Sequence, residues 1–166
     1  MTSLTLTMHG STAVLTMNRP EARNALDQSM REEFTRLVPQ IRDDRAIKAV
    51  VLTGAGGHFC AGGDIKSMQA TVAGKQDVFD SRNRMLGLHR WFDELLDLEK
   101  PVITAVQGSA FGAGLSLALA GDFVLAAPSA KFCCVFAKIG FVPDLGVMHL
   151  LPRLVGLQTA KELAFT

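Results

Sequence analysis

A chain of 166 residues, 48% hydrophobic and with a formal net charge of +1, has the size of one domain and can bury about two-thirds of its unfolded surface without disulfide or metal staples. The near-neutral charge leaves no electrostatic footprint for nucleic acid, and three cysteines without a C-x-x-C pair point to reduced thiols rather than a disulfide frame or a zinc site. The opening MTSLTLTMHG has no basic region followed by an apolar run, so no leader is read there and the expected location is cytoplasmic.

Leu4, Leu6 and Met8 alternate with polar residues, and His9-Gly10-Ser11 turns the chain into residues 13–17, which predicts a β-hairpin. The proline in the polar loop 18–25 forbids strand continuation. Asp27 then opens a helix with Met30, Phe34, Leu37, Val38 and Ile41 on one face, ending near Asp43. Residues 49–53 read as a buried strand closed by the glycine-rich turn 54–57, and the chain continues into FCAGGDI at 59–65. Residues 71–76 are small and polar and predict a mobile loop, whereas Met85, Leu88, Phe92 and Leu95 mark a long amphipathic helix ending before Pro101. Residues 102–122, VITAVQGSAFGAGLSLALAGD, predict a buried strand, a glycine turn and a helix. Strands at 123–127 and 131–135 follow, then an apolar turn to Pro143-Asp144 and helices from Leu145 and Leu157. Strands alternating with crossover helices predict one α/β domain over 1–166 with a mainly parallel sheet, whose ligands sit at the carboxyl ends of strands. Both glycine turns fall at such ends.

The second turn carries the more specific chemistry. If a helix starts at residues 112–114, the N–H groups of Gly112, Ala113 and Gly114 have no intrahelical partner and face the positive end of the helix dipole, which suits a phosphate, carboxylate or developing oxyanion. Residues 101–121 lack charge and approach the length of a membrane span, but Gln107 and the Gly/Ser turns interrupt them, so a buried strand and helix is the better reading. Ser116 has Gly114 before it but Ala118 after it, so it is no G-x-S-x-G nucleophile and reads as a packing residue. Neither glycine turn has dinucleotide spacing, and no G-x-x-x-x-G-K-[ST] occurs. Partners are therefore expected to be small molecules or further copies of the chain, with no membrane or nucleic acid.

Three stretches together, Asn18-Arg19-Pro20-x-Ala22-x-Asn24-Ala25-Leu26, Phe59-x-Ala61-Gly62-Gly63-Asp64-Ile65 and the glycine turn 108–114, resemble the enoyl-CoA hydratase/isomerase, or crotonase, superfamily. The resemblance covers essentially the whole chain. It implies a spiral of ββα units, homotrimers or dimers of trimers, and acyl-CoA thioester substrates handled without metal or redox cofactor, coenzyme A entering as part of the substrate. Proton removal or attack beside a thioester puts charge on its carbonyl oxygen, and the resemblance assigns two backbone donors to it, Gly63 and Ala113. Each such donor is worth about 3 kcal/mol of transition-state stabilisation. By the same resemblance Ala22, Arg23, Ala25, Ala61, Asp64 and Ile65 line the path of coenzyme A. Arg23 is alternatively a solvated loop arginine, and Asp64 also reads as an N-cap for the turn after it.

Hydratases of the family carry two glutamates whose matching positions here are Ser116 and Phe136, so neither replacement can move a proton. Asp144 stands where some isomerases of the family appear to place a proton-shuttling aspartate, and the expected reaction is double-bond isomerisation through an enolate. The competing reading of Asp144 is an N-cap for a helix from Leu145. Two other functions stay open: hydratase, lyase or thioesterase chemistry with an unidentified base, and a non-catalytic module that binds acyl-CoA or assembles with other subunits. His9, His58, His89 and His149 read as ordinary helix-face or satisfied histidines. The family normally continues past Thr166 through a C-terminal helical region, so the chain is expected to be a fragment of a longer polypeptide, and the variable loop 69–76 to help set the acyl group.

Overall fold

The protein is described by a computed structural model covering residues 2–73 and 77–166. The chain opens on the expected hairpin. β1 (Leu4–His9) and β2 (Thr12–Met17) pair antiparallel, with Leu4 opposite Met17 and His9 opposite Thr12. Alternation along β2 sends Ala13, Leu15 and Met17 inward, and β3 (Ala49–Gly54) repeats the pattern with Val50 and Leu52. β4 (Val102–Val106) and β6 (Phe123–Ala126) complete a five-stranded sheet ordered β1-β2-β3-β4-β6, parallel except for β1.

α1 (Gln28–Asp43) begins at Asp27, whose carboxylate accepts the Met30 N–H at 2.9 Å, and its five expected apolar residues are all buried. It packs against α3 (Val78–Leu96), where Trp91 stacks on Phe34 with ring centroids 4.5 Å apart. Leu88, Phe92 and Leu95 of α3 are buried, but Met85 is 36% exposed and does not belong to the packed face.

A second, smaller layer is built on a two-stranded sheet. β5 (Ser109–Phe111), between the glycines of the second turn, pairs in parallel with β7 (Lys131–Cys133). Cys60 bridges to Ala110, and Leu26 bridges to Gly63 in the same parallel sense. Four segments, around Leu26, residues 60–63, β5 and β7, therefore run side by side as successive rungs. Each chain pass contributes one strand to the large sheet and one rung to this layer, which is the spiral of ββα units expected for the crotonase fold. Asn24 locks the first rung to the glycine turn after β3. Fully buried and at φ 57°, it donates to the carbonyls of Ala55 and His58 and accepts the Arg19 N–H.

Four expectations are corrected. Residues 71–73 of the expected loop belong to α2 (Ile65–Ala73), because the helix started by the Asp64 cap continues through them despite the weak preferences of Thr and Val; the rest, 74–76, lies outside the described residues. The second glycine turn is not a single bend, since β5 interrupts it before α4 (Ala113–Leu119). No helix begins at Leu145: that residue has φ 45°, and α5 (Val147–Val155) starts after Gly146 with no side-chain cap, so Asp144 is not an N-cap. Finally, the strand expected over 131–135 ends at Cys133 as β7, and Val135–Ile139 form a tight helical turn. The final α6 (Leu157–Phe165) falls where expected.

β6 forms an edge of the large sheet and exposes Phe123, Val124 and Leu125. Among the described residues no helix is long and apolar enough to cross a membrane.

Candidate active site

The rungs bring the two glycine turns together. The Cys60 N–H donates to Ser109 O at 2.8 Å and its carbonyl accepts the Phe111 N–H at 3.0 Å, so residues 60–63 and 109–111 advance in step toward Gly63 and Ala113. The approach leaves no room for side chains. A Cβ on Gly114 would lie 2.1 Å from the Cys60 carbonyl oxygen, and one on Gly62 would lie 2.8 Å from the Phe111 oxygen and 3.8 Å from the Ala113 nitrogen. Gly62 and Gly112, with φ of 102° and 52°, occupy backbone that only glycine adopts readily.

One of the three N–H groups expected to be bare is in fact engaged, because Gly112 donates to Cys133 O at 2.9 Å across the β5–β7 pairing. Gly63 and Ala113 have no intramolecular acceptor for their N–H groups among the described residues. Both line one cavity of about 490 Å³, with Ala61, Ile65 and Asp144 in the same wall. Met68, Met85, Leu88, Phe136 and Phe141 make much of the remaining lining apolar.

Asp144 is the carboxylate of this cavity. Its Oδ1 is buried and has no hydrogen-bond partner among the described residues. Burial pushes the carboxyl above the ordinary carboxylate range, and the positive charges of His89 and Arg31 offset this in part. Ser116, fully buried, donates its hydroxyl to the Asp144 carbonyl at 3.2 Å and thereby steadies the loop that carries the acid. Phe136 contributes an apolar face to the cavity.

The other residues assigned by resemblance lie beside the cavity rather than in its wall. The Arg23 carbonyl accepts the Ala61 N–H at 3.0 Å, and the Leu26 N–H donates to Gly62 O, which lays residues 22–26 along the first turn. Arg23 itself is exposed at φ 49°, and Ala22 and Ala25 are half-buried. Asp64 is already occupied: it caps α2 through the N–H groups of Lys66 and Ser67, and it accepts Arg19 Nη2 at 3.0 Å. Burial opposes its ionisation, but the bonds from Ser67 and Arg19 outweigh this and hold it below the usual carboxylate range. Arg19 also pairs with Asp27 and donates to Ala25 O, so the N-R-P motif builds the loop.

Sequence reasoning missed Arg31 and Arg84. Both line the cavity, one from the polar face of α1 and one from α3, and nothing local in either helix distinguishes them from solvated arginines. His89 was read as ordinary, yet it lies close enough to Asp144 to favour the ionised form of that carboxyl. His58 and His149 have structural roles: Ser109 N donates to His58 Nδ1, and Arg153 meets His149 Nδ1 on an exposed helix face.

Comparison with known proteins agrees with this architecture. The chain is 40% identical over 154 residues to the 1,2-epoxyphenylacetyl-CoA isomerase of Escherichia coli K12, covering 90% of this chain and 57% of that protein. It is 36% identical to the short-chain-enoyl-CoA hydratase of Clostridium acetobutylicum, covering 100% of this chain and 62% of the relative. The crystal structure of an enoyl-CoA hydratase from Polaromonas sp. JS666 superposes with a TM-score of 0.89 at 37% identity, over 98% of this chain and 62% of that one. The chain thus spans somewhat more than half the length of these relatives. The profile of the Enoyl-CoA hydratase/isomerase family matches residues 7–166, and the chain belongs to that family, the crotonase superfamily.

Proposed function

We propose that this chain forms the catalytic portion of an enoyl-CoA double-bond isomerase. The observation that carries the reading is the unpaired, buried Oδ1 of Asp144 in the same cavity as two N–H groups without acceptors. With a thioester carbonyl oxygen between Gly63 and Ala113, Asp144 as carboxylate removes a proton from the carbon beside the carbonyl. The C–H electron pair moves into a dienolate whose oxygen charge the two N–H groups hold. Protonated Asp144 then returns the proton at the γ-carbon, the far end of the original double bond, so that the double bond comes to lie beside the carbonyl and the carboxylate is restored. A base raised above the ordinary carboxylate range is better matched to a weak carbon acid than a normal aspartate. Hydration needs an activated water, and positions 116 and 136 hold a serine spent on backbone and a phenylalanine. Coenzyme A is taken to enter along residues 22–25 and 61–65, and no metal or redox cofactor takes part. A homotrimer or dimer of trimers would cover the apolar β6 edge.

The test is exchange of the α-protons of a saturated acyl-CoA thioester in deuterated water. Asp144→Asn should reduce the exchange rate by at least about a hundredfold while thioester binding persists. Unchanged exchange would remove Asp144 from the mechanism, and incorporation of solvent oxygen into the product would favour hydratase chemistry instead.

A further inference from the structure

A second hollow joins the acyl cavity, and the reaction proposed above leaves it unused. This cleft of about 540 Å³ lies between α1 and α3 and shares Gln28, Arg31, Arg84 and Leu88 with the cavity of Asp144. The two arginines therefore stand at the seam. Among the described residues the arginine ion pairs are made by Arg19, Arg36 and Arg42, and neither Arg31 nor Arg84 has a carboxylate within 4.0 Å. Burial and then the neighbouring charge of Arg84 act against the Arg31 guanidinium, and the charges of Asp144, Asp27 and Asp64, none within 4.0 Å of it, offset this only in part.

What relieves Arg31 is the Leu26 carbonyl, which accepts from its Nη2 at 3.4 Å, and carboxylates acting from a distance. In the cavity the two arginines meet one carboxylate, Asp144, and the apolar Met68, Met85 and Leu88. The cleft's carboxylates, Glu32 and Asp80, are exposed, and Glu32 already accepts Gln28 Nε2 at 2.9 Å. Arg31 Nε and the indole Nε1 of Trp91, which also lines the cleft, are buried without acceptors. Buried cations without a contacting carboxylate, and unpaired donors, beside an apolar wall are costly until an anion joins them. A carboxylate fits best, because its two oxygens match the guanidinium fork.

We infer that Arg31 and Arg84 form an anion subsite at the seam of the two hollows, which receives a carboxylate carried at the far end of the acyl chain. The preferred substrates are then coenzyme A half-thioesters of dicarboxylic acids. This rests on the acyl-CoA reading of the cavity but not on Asp144 as the base.

The experiment is calorimetric binding to the full chain of two unreactive esters of equal chain length, adipoyl-CoA and hexanoyl-CoA. Adipoyl-CoA should bind about tenfold or more tightly. Arg84→Met should bring the two dissociation constants together, and Arg84→Lys should keep part of the preference because the charge remains. Equal affinities in the unaltered chain overturn the inference. So does a loss in Arg84→Met that is the same for both esters, which would place a coenzyme A phosphate at the arginines. If neither ester binds, the acyl-CoA reading falls with it. If the preference appears while Asp144→Asn still exchanges protons normally, the subsite stands and only the isomerase reading falls.

Discussion

Gly114→Ala offers the sharpest test of how the site is built. The added methyl would lie 2.1 Å from the Cys60 carbonyl oxygen and 2.8 Å from its carbon, where ordinary contact begins at 3.4 Å. No flexible side chain can move aside, because both backbone groups of Cys60 are already bonded to β5. Relief thus requires the two rungs to part by about 1.3 Å, and overpacking of a tight core costs about 1–3 kcal/mol. The same movement pulls Ala113 away from Gly63. An oxyanion donor acts only within about 2.7–3.1 Å, so displacement by more than an ångström amounts to removing one, a loss of roughly a hundredfold in turnover. Thermal unfolding and α-proton exchange measured on the same preparation read both effects. Gly87→Ala provides the contrast, since its Cβ meets nothing within 4 Å on α3 and helix propensity predicts a gain of about 0.5–1 kcal/mol. A Gly114→Ala variant that kept its melting temperature and exchanged protons within about threefold of the unaltered chain would refute the close approach and the oxyanion geometry built on it.

The raised Asp144 carboxyl makes a stability prediction with a definite sign. Its folded pKa lies above the unfolded value, so its contribution is full below the unfolded value of about 3.9 and is lost as pH rises through the folded one; Asp144→Asn should be the more stable protein at neutral pH, and denaturant titrations should show the gap closing on acidification. Phe34→Ala removes the stacking partner of the single tryptophan and should cost about 3–5 kcal/mol, with a red shift of Trp91 emission as the accompanying signal. Cys60 is fully buried and its thiol is pushed up to about 11, so maleimide labelling of the native chain should modify the partly exposed Cys133 first and reach Cys60 only on unfolding.

The parts legible in the sequence were those specified locally. Asp27 and the apolar spacing after it define α1, alternation defines β2, and the Asp64 side chain caps α2 as its position suggests. What escaped depends on residues far apart in the chain. The Gly112 N–H looked free because its acceptor, Cys133, comes from a rung formed later, and Arg31 and Arg84 looked solvated because only the packing of α1 on α3 places them at one cavity. Residues 71–73 were misread for a different reason, since Thr and Val there have weak intrinsic preferences that the upstream cap overrides. Asp144 lines the cavity, and its alternative reading as a cap fails because Leu145 takes a left-handed conformation that delays the helix to Val147.

The Gly112–Cys133 bond has a consequence for biosynthesis. During translation the turn at residues 60–63 leaves the ribosome well before β7, and the Gly112 amide has no acceptor until that later rung is in place. A nascent or proteolytically clipped polypeptide ending before residue 131 would therefore lack the acceptor that fixes the Gly112 amide, and the geometry of the second turn would appear as a late event of chain synthesis rather than growing with length.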